Sequence, residues 1–153
     1  MATLVLSYSR VDRALIHLVV VFLKSWLREI DPIVFWDRDL ENGPYWRQEF
    51  RRVIHAAPQL FVFWCSHASE SAQVRSEFQY ALTHGKRVVP VLLDDTPLPP
   101  ELAGSQSIDL RRAVRHKPED DERGYTWKSI EASLVINREE ITSAFAWFLL
   151  RDH

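Results

Sequence analysis

The chain has 153 residues, of which 46% are hydrophobic and 26% are charged, and its formal net charge is -2. This length and composition predict one globular domain that buries its own core. A nearly balanced charge argues against nucleic acid or an anionic membrane as a partner, because no global field draws either one in. Cys65 is the only cysteine and has no internal disulfide partner, so we expect a reducing, cytoplasmic setting.

The apolar run at 14–23 is the one segment that raises the question of a membrane. It is much shorter than the roughly 20 residues that a helical span needs. Charged residues also flank it, with Asp12 and Arg13 before it and Lys24 after it. The run is therefore predicted to be a buried helix, and neither a membrane span nor a signal peptide is expected.

Apolar, β-branched runs alternate with helical patterns along the chain. Strands are predicted at 3–6, 33–36, 60–64, 87–93 and 107–110, and helices at 12–29, 44–57 and 70–84. Gly85 follows the third helix, as a C-terminal cap does. The run at 60–64 is uniformly apolar, which indicates a central parallel strand buried on both faces. Pro90 lies within the fourth predicted strand, where its missing N–H is unusual.

The last third of the chain begins with a highly charged segment at 111–124, which predicts a solvated loop. The pattern at 125–136 leaves its structure open. Asn137 and Glu140 have the spacing of a capping box, and apolar residues then recur at helical intervals. A final amphipathic helix is therefore predicted at about 137–151.

Together these elements predict an α/β fold, a flavodoxin-like doubly wound sandwich with a five-stranded parallel sheet in the order 2-1-3-4-5. In that topology the polar loops after the first three strands, at 7–12, 37–46 and 66–77, meet at the carboxyl edge of the sheet. Glu77 lies in the third of these segments. Taken alone, a glutamate in the first turns of a helix is usually a solvated side chain.

Several familiar sites are not supported by the sequence. A receiver domain of the same architecture needs an aspartate after the third strand, where Cys65 and Ser66 stand instead. The chain has four glycines and no glycine-rich phosphate loop. Its six histidines do not pair with Cys or Asp at metal-ligand spacing, so no metal site is expected. Asp94 and Asp95 are interpreted as ordinary polar loop residues, and Cys65 as a strand residue, not a nucleophile.

Four motifs, in register from about 3 to 110, give the chain a resemblance to the Toll/interleukin-1 receptor (TIR) domain family. Each motif alone is weak, but four in the correct order are specific. They are Leu6-Ser7-Tyr8-Ser9 with Asp12, Val34-Phe35-Trp36-Asp37 with Gly43-Pro44-Tyr45-Trp46, the segment containing Ser66, Ser71 and Glu77, and Gly85-Lys86 with Val89-Pro90-Val91.

The resemblance implies a single TIR domain over 1–153, most like prokaryotic NAD-consuming members. It implies an NAD⁺ glycohydrolase or cyclase that breaks the nicotinamide–ribose bond, with Glu77 as the catalytic residue and NAD⁺ as substrate. The products would be nicotinamide and ADP-ribose, or a cyclic ADP-ribose signal. No metal or other cofactor is implied. The residues that the resemblance assigns to substrate binding are Tyr8, Arg10, Asp37, Glu41, Tyr45, Trp46 and Gln73.

One position departs from the active members of the family and keeps alternatives open. Many of them carry an aromatic residue four positions before the glutamate, where this chain has Gln73. A non-catalytic TIR adaptor that works by self-association is the main alternative, and a nucleoside-modifying transferase is a weaker one. The resemblance also implies other TIR domains, a downstream effector or a fused sensor domain as partners, in prokaryotic anti-phage immune signalling.

Overall fold

The computed structural model describes residues 4–27, 34–35, 45–114 and 125–150. Within these ranges, five strands form one parallel sheet in the order β2-β1-β3-β4-β5. The strands are β1 (Leu4–Ser7), β2 (Val34–Phe35), β3 (Gln59–Trp64), β4 (Arg87–Leu92) and β5 (Ile108–Asp109). The helices are α1 (Arg13–Trp26), α2 (Tyr45–Ala56), α3 (Ser66–Ser69), α4 (Ala72–Thr83), α5 (Arg111–Val114), α6 (Tyr125–Ile136) and α7 (Arg138–Leu149). The predicted doubly wound α/β architecture is confirmed.

Strand β3 is the centre of the sheet, and every residue in it is buried. It pairs with β1 on one side and with β4 along its whole length on the other. The Phe61 ring lies 5.5 Å from that of Phe145 in α7, whereas Trp64 meets Phe78 of α4 edge-on at 6.3 Å. Residues 61 and 64 face opposite sides of a strand. Helices therefore cover both faces, which explains the uniformly apolar sequence of β3.

Helix α1 contains the apolar run at 14–23 and buries one face of it. The buried residues recur at intervals of three and four, as on one side of a helix; they are Leu15, Ile16, Val19, Val20 and Leu23. Among the described residues, no helix combines the length and the apolar character that a membrane crossing needs.

The unusual proline of β4 lies where the sheet does not need its N–H. Leu93 donates its N–H to the carbonyl of Trp64 in β3, and the carbonyl of Leu92 accepts from Leu110 on the other side. Because backbone direction alternates along a strand, Pro90 faces the same side as Leu92, towards β5. The described pairing with β5 begins only at Val91. Pro90 thus precedes that ladder and interrupts none of its bonds.

The helix predicted at 70–84 begins differently in the structure. A separate short helix, α3, comes first, and α4 starts at Ala72. The Ser71 hydroxyl accepts a hydrogen bond from the Val74 N–H at 3.2 Å and is the N-cap of α4. A serine in this position satisfies one of the free N–H groups of the first turn, so it sets the helix start.

The C-terminal end of α4 confirms the predicted glycine cap. Gly85 has a φ of +72°, the left-handed conformation that glycine adopts without strain. Its N–H bonds the Leu82 carbonyl at 3.1 Å, and the Lys86 N–H bonds the Ala81 carbonyl at 2.9 Å. These two bonds form a Schellman motif that closes the helix.

Two details of the C-terminal third differ from prediction. Arg111–Val114 forms α5 instead of loop, and the rest of the predicted loop, 115–124, lies outside the described residues. The predicted capping box is wrong, because the side chain of Asn137 makes no bond to α7 and instead donates to the Ser133 carbonyl at 2.7 Å. Only Asn137 separates α6 from α7, so its amide satisfies the last turn of the preceding helix.

Candidate active site

Glu77 lies on α4 and is buried, with 6% of its surface exposed. The Ser7 hydroxyl donates to Glu77 Oε1 at 2.6 Å, in a bond that is itself buried. This distance lies at the short end of the range of about 2.5–3.0 Å for hydrogen bonds between a hydroxyl and an oxygen. Since Ser7 is the last residue of β1, the carboxylate is held at the carboxyl edge of the sheet.

The sequence of α4 directs Glu77 inward. Val74, Phe78 and Ala81 are fully buried, and together with Glu77 they follow the i, i+3, i+4, i+7 spacing of one helix face. A carboxylate therefore occupies a position in an apolar stripe that faces the sheet. Burying a charged group is costly unless it is paired or hydrogen-bonded, and Ser7 supplies such a bond.

The loop after β1 orients its side chains in different directions. Tyr8 is buried, with 8% exposed, directly after Ser7. Ser9 caps the 3-10 turn Arg10–Asp12 by accepting from the Val11 N–H at 3.3 Å. Arg10 is exposed. Of the two substrate-binding residues predicted here, Tyr8 thus lies beside the Ser7–Glu77 pair in the chain and Arg10 lies at the surface.

The other predicted substrate-binding residues are located only in part. Asp37 and Glu41 lie outside the described residues. Tyr45 and Trp46 belong to the first turn of α2, but their side chains also lie outside the described part. Gln73 is half-buried in the first turn of α4, four residues before Glu77. The assignment of these side chains to substrate binding stays a prediction.

Ser7 is absent from the site residues predicted from the sequence. It was noted as part of a motif but not as the partner of Glu77, which lies 70 positions away. A small hydroxyl residue at the carboxyl end of a strand beside the central strand is the signal that could have identified it. Such a position points at the edge where α/β folds bind ligands.

A second polar cluster at this edge joins Asp12, Cys65 and His67. The Cys65 thiol donates to Asp12 Oδ2 at 2.7 Å, and His67 Nδ1 lies 3.0 Å from Asp12 Oδ1. Burial, with the hydrogen bond to Asp12, raises the pKa of the Cys65 thiol to about 12. The thiol is therefore protonated at neutral pH, which agrees with the interpretation that Cys65 is not a nucleophile.

This Asp12–Cys65–His67 cluster was not visible from sequence spacing, since Asp12 lies 53 positions before Cys65. One ligand atom from each residue lies within 4.8 Å of the other two. Among the described residues, this is the one group of three or more metal-ligating side chains brought this close together.

Asp94 and Asp95, which follow β4, both have structural partners. Asp94 accepts the Ser66 N–H at 3.1 Å and the Thr96 N–H at 2.9 Å, and so ties the loop after β4 to the loop after β3. Asp95 forms an ion pair with Arg111 at 2.8 Å. These contacts agree with their interpretation as polar loop residues.

Comparison with known proteins shows which family and which solved structure the chain is similar to. The sequence model described as the TIR domain matches residues 4–125, which include both polar clusters. Among solved structures, the chain is similar to the TIR domain of the Toll-related receptor TRR-2 from the lower metazoan Hydra magnipapillata. The two share 16% identity with a TM-score of 0.59, over 88% of this chain and 98% of that one. At this identity the likeness shows the fold alone. No curated protein gives a significant match.

Proposed function

The chain belongs to the TIR domain family, and from this premise we propose that it is an NAD⁺ nucleosidase in which Glu77 is the catalytic residue. The observation that carries the proposal is the buried hydrogen bond between Ser7 and Glu77 at the carboxyl edge of the sheet. Ligands of open α/β sheets bind at that edge.

The cost of burying Glu77 supports a functional role. An apolar side chain would fit the stripe formed by Val74, Phe78 and Ala81 without this cost. Positions that break a local packing rule are expected at functional sites, where activity and not stability selects the residue. The Ser7 hydroxyl offsets part of the cost and fixes the orientation of the carboxylate.

A carboxylate held in a fixed position can stabilise the positive charge that develops when NAD⁺ is cleaved. When the bond between the ribose carbon and the nicotinamide nitrogen breaks, the electron pair leaves with nicotinamide, which becomes neutral. The ribose then carries the positive charge as an oxocarbenium-like state, and the carboxylate of Glu77 stabilises it. A water molecule that attacks this carbon and loses a proton yields ADP-ribose. A nitrogen of the adenine in the same molecule yields a cyclic product instead. Neither route requires a metal.

The substrate-binding residues suggested by the family complete the proposal. Tyr8 and Arg10 contact NAD⁺ from the loop after β1. Asp37 and Glu41 do so from the segment between β2 and α2, and Tyr45 and Trp46 from the first turn of α2. Gln73 offers a hydrogen-bonding amide to nicotinamide where other members stack an aromatic ring. We place the activity in prokaryotic immune signalling and in assemblies of neighbouring TIR domains; family resemblance supports both.

Product analysis tests this function. The purified protein is incubated with NAD⁺, both concentrated in solution and clustered on beads, and the products are separated by chromatography. We expect nicotinamide with ADP-ribose or a cyclic isomer from the wild type, and none from Glu77→Ala. Glu70→Ala is the matched control, because Glu70 is exposed just before α4, and it should keep full activity.

Two results would overturn the proposal in different ways. Absence of nicotinamide release from the wild type in both formats would exclude the enzyme. Full activity of a folded Glu77→Ala protein would leave the enzyme but remove Glu77 from its catalytic role.

A non-catalytic TIR scaffold is the second candidate, and the surface of α6 and α7 favours it. Ile136, Trp147 and Leu150 are exposed by 82%, 42% and 51%, and such apolar residues suit a contact surface. In this case the Ser7–Glu77 bond only ties α4 to β1. Light scattering over a concentration series tests the scaffold. Assembly without nicotinamide release, reduced by Ile136→Ser, is the result that would favour it over the enzyme.

A further inference from the structure

We propose that Asp12, Cys65 and His67 bind a divalent transition-metal ion such as Zn²⁺. The site is separate from the Ser7–Glu77 pair, and the proposal does not depend on NAD⁺ cleavage.

The geometry brings three different metal-binding groups to one point. Asp12 Oδ2 lies 2.7 Å from Cys65 Sγ, and Asp12 Oδ1 lies 3.0 Å from His67 Nδ1. All three ligand atoms lie within 4.8 Å of one another. Two atoms that each bind zinc at about 2.0–2.3 Å lie no more than roughly 4.6 Å apart. The cluster therefore needs only small side-chain adjustments to surround one ion.

The backbone fixes the positions of these ligands before any ion binds. Asp12 ends the 3-10 turn after β1, and Cys65 directly follows β3. These two strands are neighbours in the sheet, paired at Leu6 with Phe61 and at Ser7 with Val62. Ligands held by turns and helices directly after two adjacent strands lose little conformational entropy on binding, and this preorganisation favours affinity.

The burial of the three side chains leaves one side of the cluster open for an ion to enter. Asp12 is 7% exposed and Cys65 is fully buried. The His67 side chain is 35% exposed, so an ion and its remaining water ligand can enter past the imidazole. Three protein ligands with one open position is a common zinc arrangement.

The ligand types select the ion. A thiolate and an imidazole suit zinc and similar borderline ions, whereas magnesium and calcium prefer sets of oxygen ligands. On binding, the bond from Cys65 Sγ to the metal replaces the S–H bond, and the proton is released to solvent. Asp12 accepts a hydrogen bond from the thiol in the metal-free protein, and it becomes a ligand when the ion binds. The ion then links the loop after β1 to α3, close to the catalytic edge but outside the proposed reaction.

Cobalt is the sharpest probe, because Cys65 is the only cysteine. Protein stripped with a chelator is titrated with Co²⁺ and followed by absorption spectroscopy. We expect a thiolate-to-cobalt charge-transfer band that saturates at one equivalent and disappears when Zn²⁺ is added. No other residue of this chain can produce that band.

Variants assign the remaining ligands. Cys65→Ser should abolish the band. His67→Ala should weaken Co²⁺ binding by more than the roughly 10- to 100-fold that loss of an outer partner of a metal ligand costs. His17→Ala, at an exposed position of α1, is the matched histidine control and should bind Co²⁺ like the wild type.

Folding of each variant is checked by circular dichroism, and the wild-type spectrum tests the site even if Cys65→Ser fails to fold. Folded wild-type protein that gives no charge-transfer band would overturn the proposal and leave a hydrogen-bonded cluster only. Equal Co²⁺ affinity in the wild type and His67→Ala would remove His67 from the site.

Discussion

The two ends of the parallel sheet bury polar side chains of different kinds. At the amino end, Gln59 opens β3 and is 1% exposed; its Nε2 donates to the Phe148 carbonyl of α7 at 2.9 Å. The other buried polar or charged side chains of the described chain lie at the carboxyl end, and they are Ser7, Ser9, Asp12 and Glu77.

This difference matches the proposed division between a structural role at one end of the sheet and a functional role at the other. A neutral amide costs less to bury than a charged group, and Gln59 uses its donor to attach α7 to the central strand. Two carboxyl side chains lie at the opposite end, and a charged group costs more to bury than an amide. We expect changes at the amino end to alter stability and changes at the carboxyl end to alter activity.

The largest effect is expected from Glu77→Gln. Loss of the negative charge should lower kcat/KM for NAD⁺ by roughly 10²- to 10³-fold. The free energy of unfolding should change by less than about 1 kcal/mol or rise, since an amide is easier to bury than a carboxylate. Nicotinamide release and urea unfolding measure the two quantities. A large loss of stability with unchanged activity would contradict the expected difference between the two ends of the sheet.

Gln59→Ala should show the opposite pattern. The variant loses the bond to the Phe148 carbonyl and leaves space beside β3, so unfolding should become easier by about 2 kcal/mol. We expect kcat/KM to stay at the wild-type value, because the residue lies at the far end of the sheet. Thermal unfolding measures the change in stability, and nicotinamide release by the folded protein measures activity. A loss of activity without a loss of stability would contradict a purely structural role for Gln59.

The Cys65 thiol should make stability fall at alkaline pH in the metal-free protein. Its pKa rises from an ordinary value of 9.0 to about 12 in the folded chain, mainly through burial. Between pH 9 and 12 the unfolded chain releases this proton while the folded chain keeps it. The free energy of unfolding therefore falls by about 1.4 kcal/mol per pH unit in this range. Below pH 9 the thiol is protonated in both states, so its full contribution to stability is kept.

Comparison of the wild type with Cys65→Ala isolates the thiol from other groups that titrate in this range. The difference in unfolding free energy between the two proteins should shrink from pH 9 to pH 11. A difference that stays constant with pH would show that the folded thiol titrates normally.

Gly85→Ala should have the smallest effect. No atom lies within 4 Å of the added Cβ, so the cost comes only from the φ of +72°. An alanine in this conformation costs about 1 kcal/mol or slightly more. Because α4 ends here, at the amino end of the sheet, activity should be unaffected. Chemical denaturation measures the change, and reduced nicotinamide release at unchanged stability would contradict it.

The fold could be predicted because its signals are local. A uniformly apolar β3 shows burial on both faces, and Gly85 shows where α4 ends; each depends on neighbouring residues only. The start of α4 was misplaced because several serines compete as caps in that segment, and the contact that selects Ser71 is a single hydrogen bond. Asn137 was misassigned since a helix packed directly before α7 offered its amide another partner.

From the sequence, residues of the site could be identified singly, but the contacts between them could not. Glu77 was identified from its place after the central strand and from family motifs. Its bond to Ser7, and the approach of Asp12 to Cys65 and His67, depend on the pairing of β1 with β3. Contacts that span 53 to 70 positions leave no periodic trace in the sequence. Only the folded sheet brings them together.

The shortness of β5 has a consequence for the edge of the sheet that it forms. As described, β5 is two residues long and pairs with β4 at only two positions. A long open strand recruits other chains by backbone hydrogen bonding and promotes aggregation. A strand this short offers little such backbone, so the β5 edge disfavours the growth of a continuous sheet between copies of the chain.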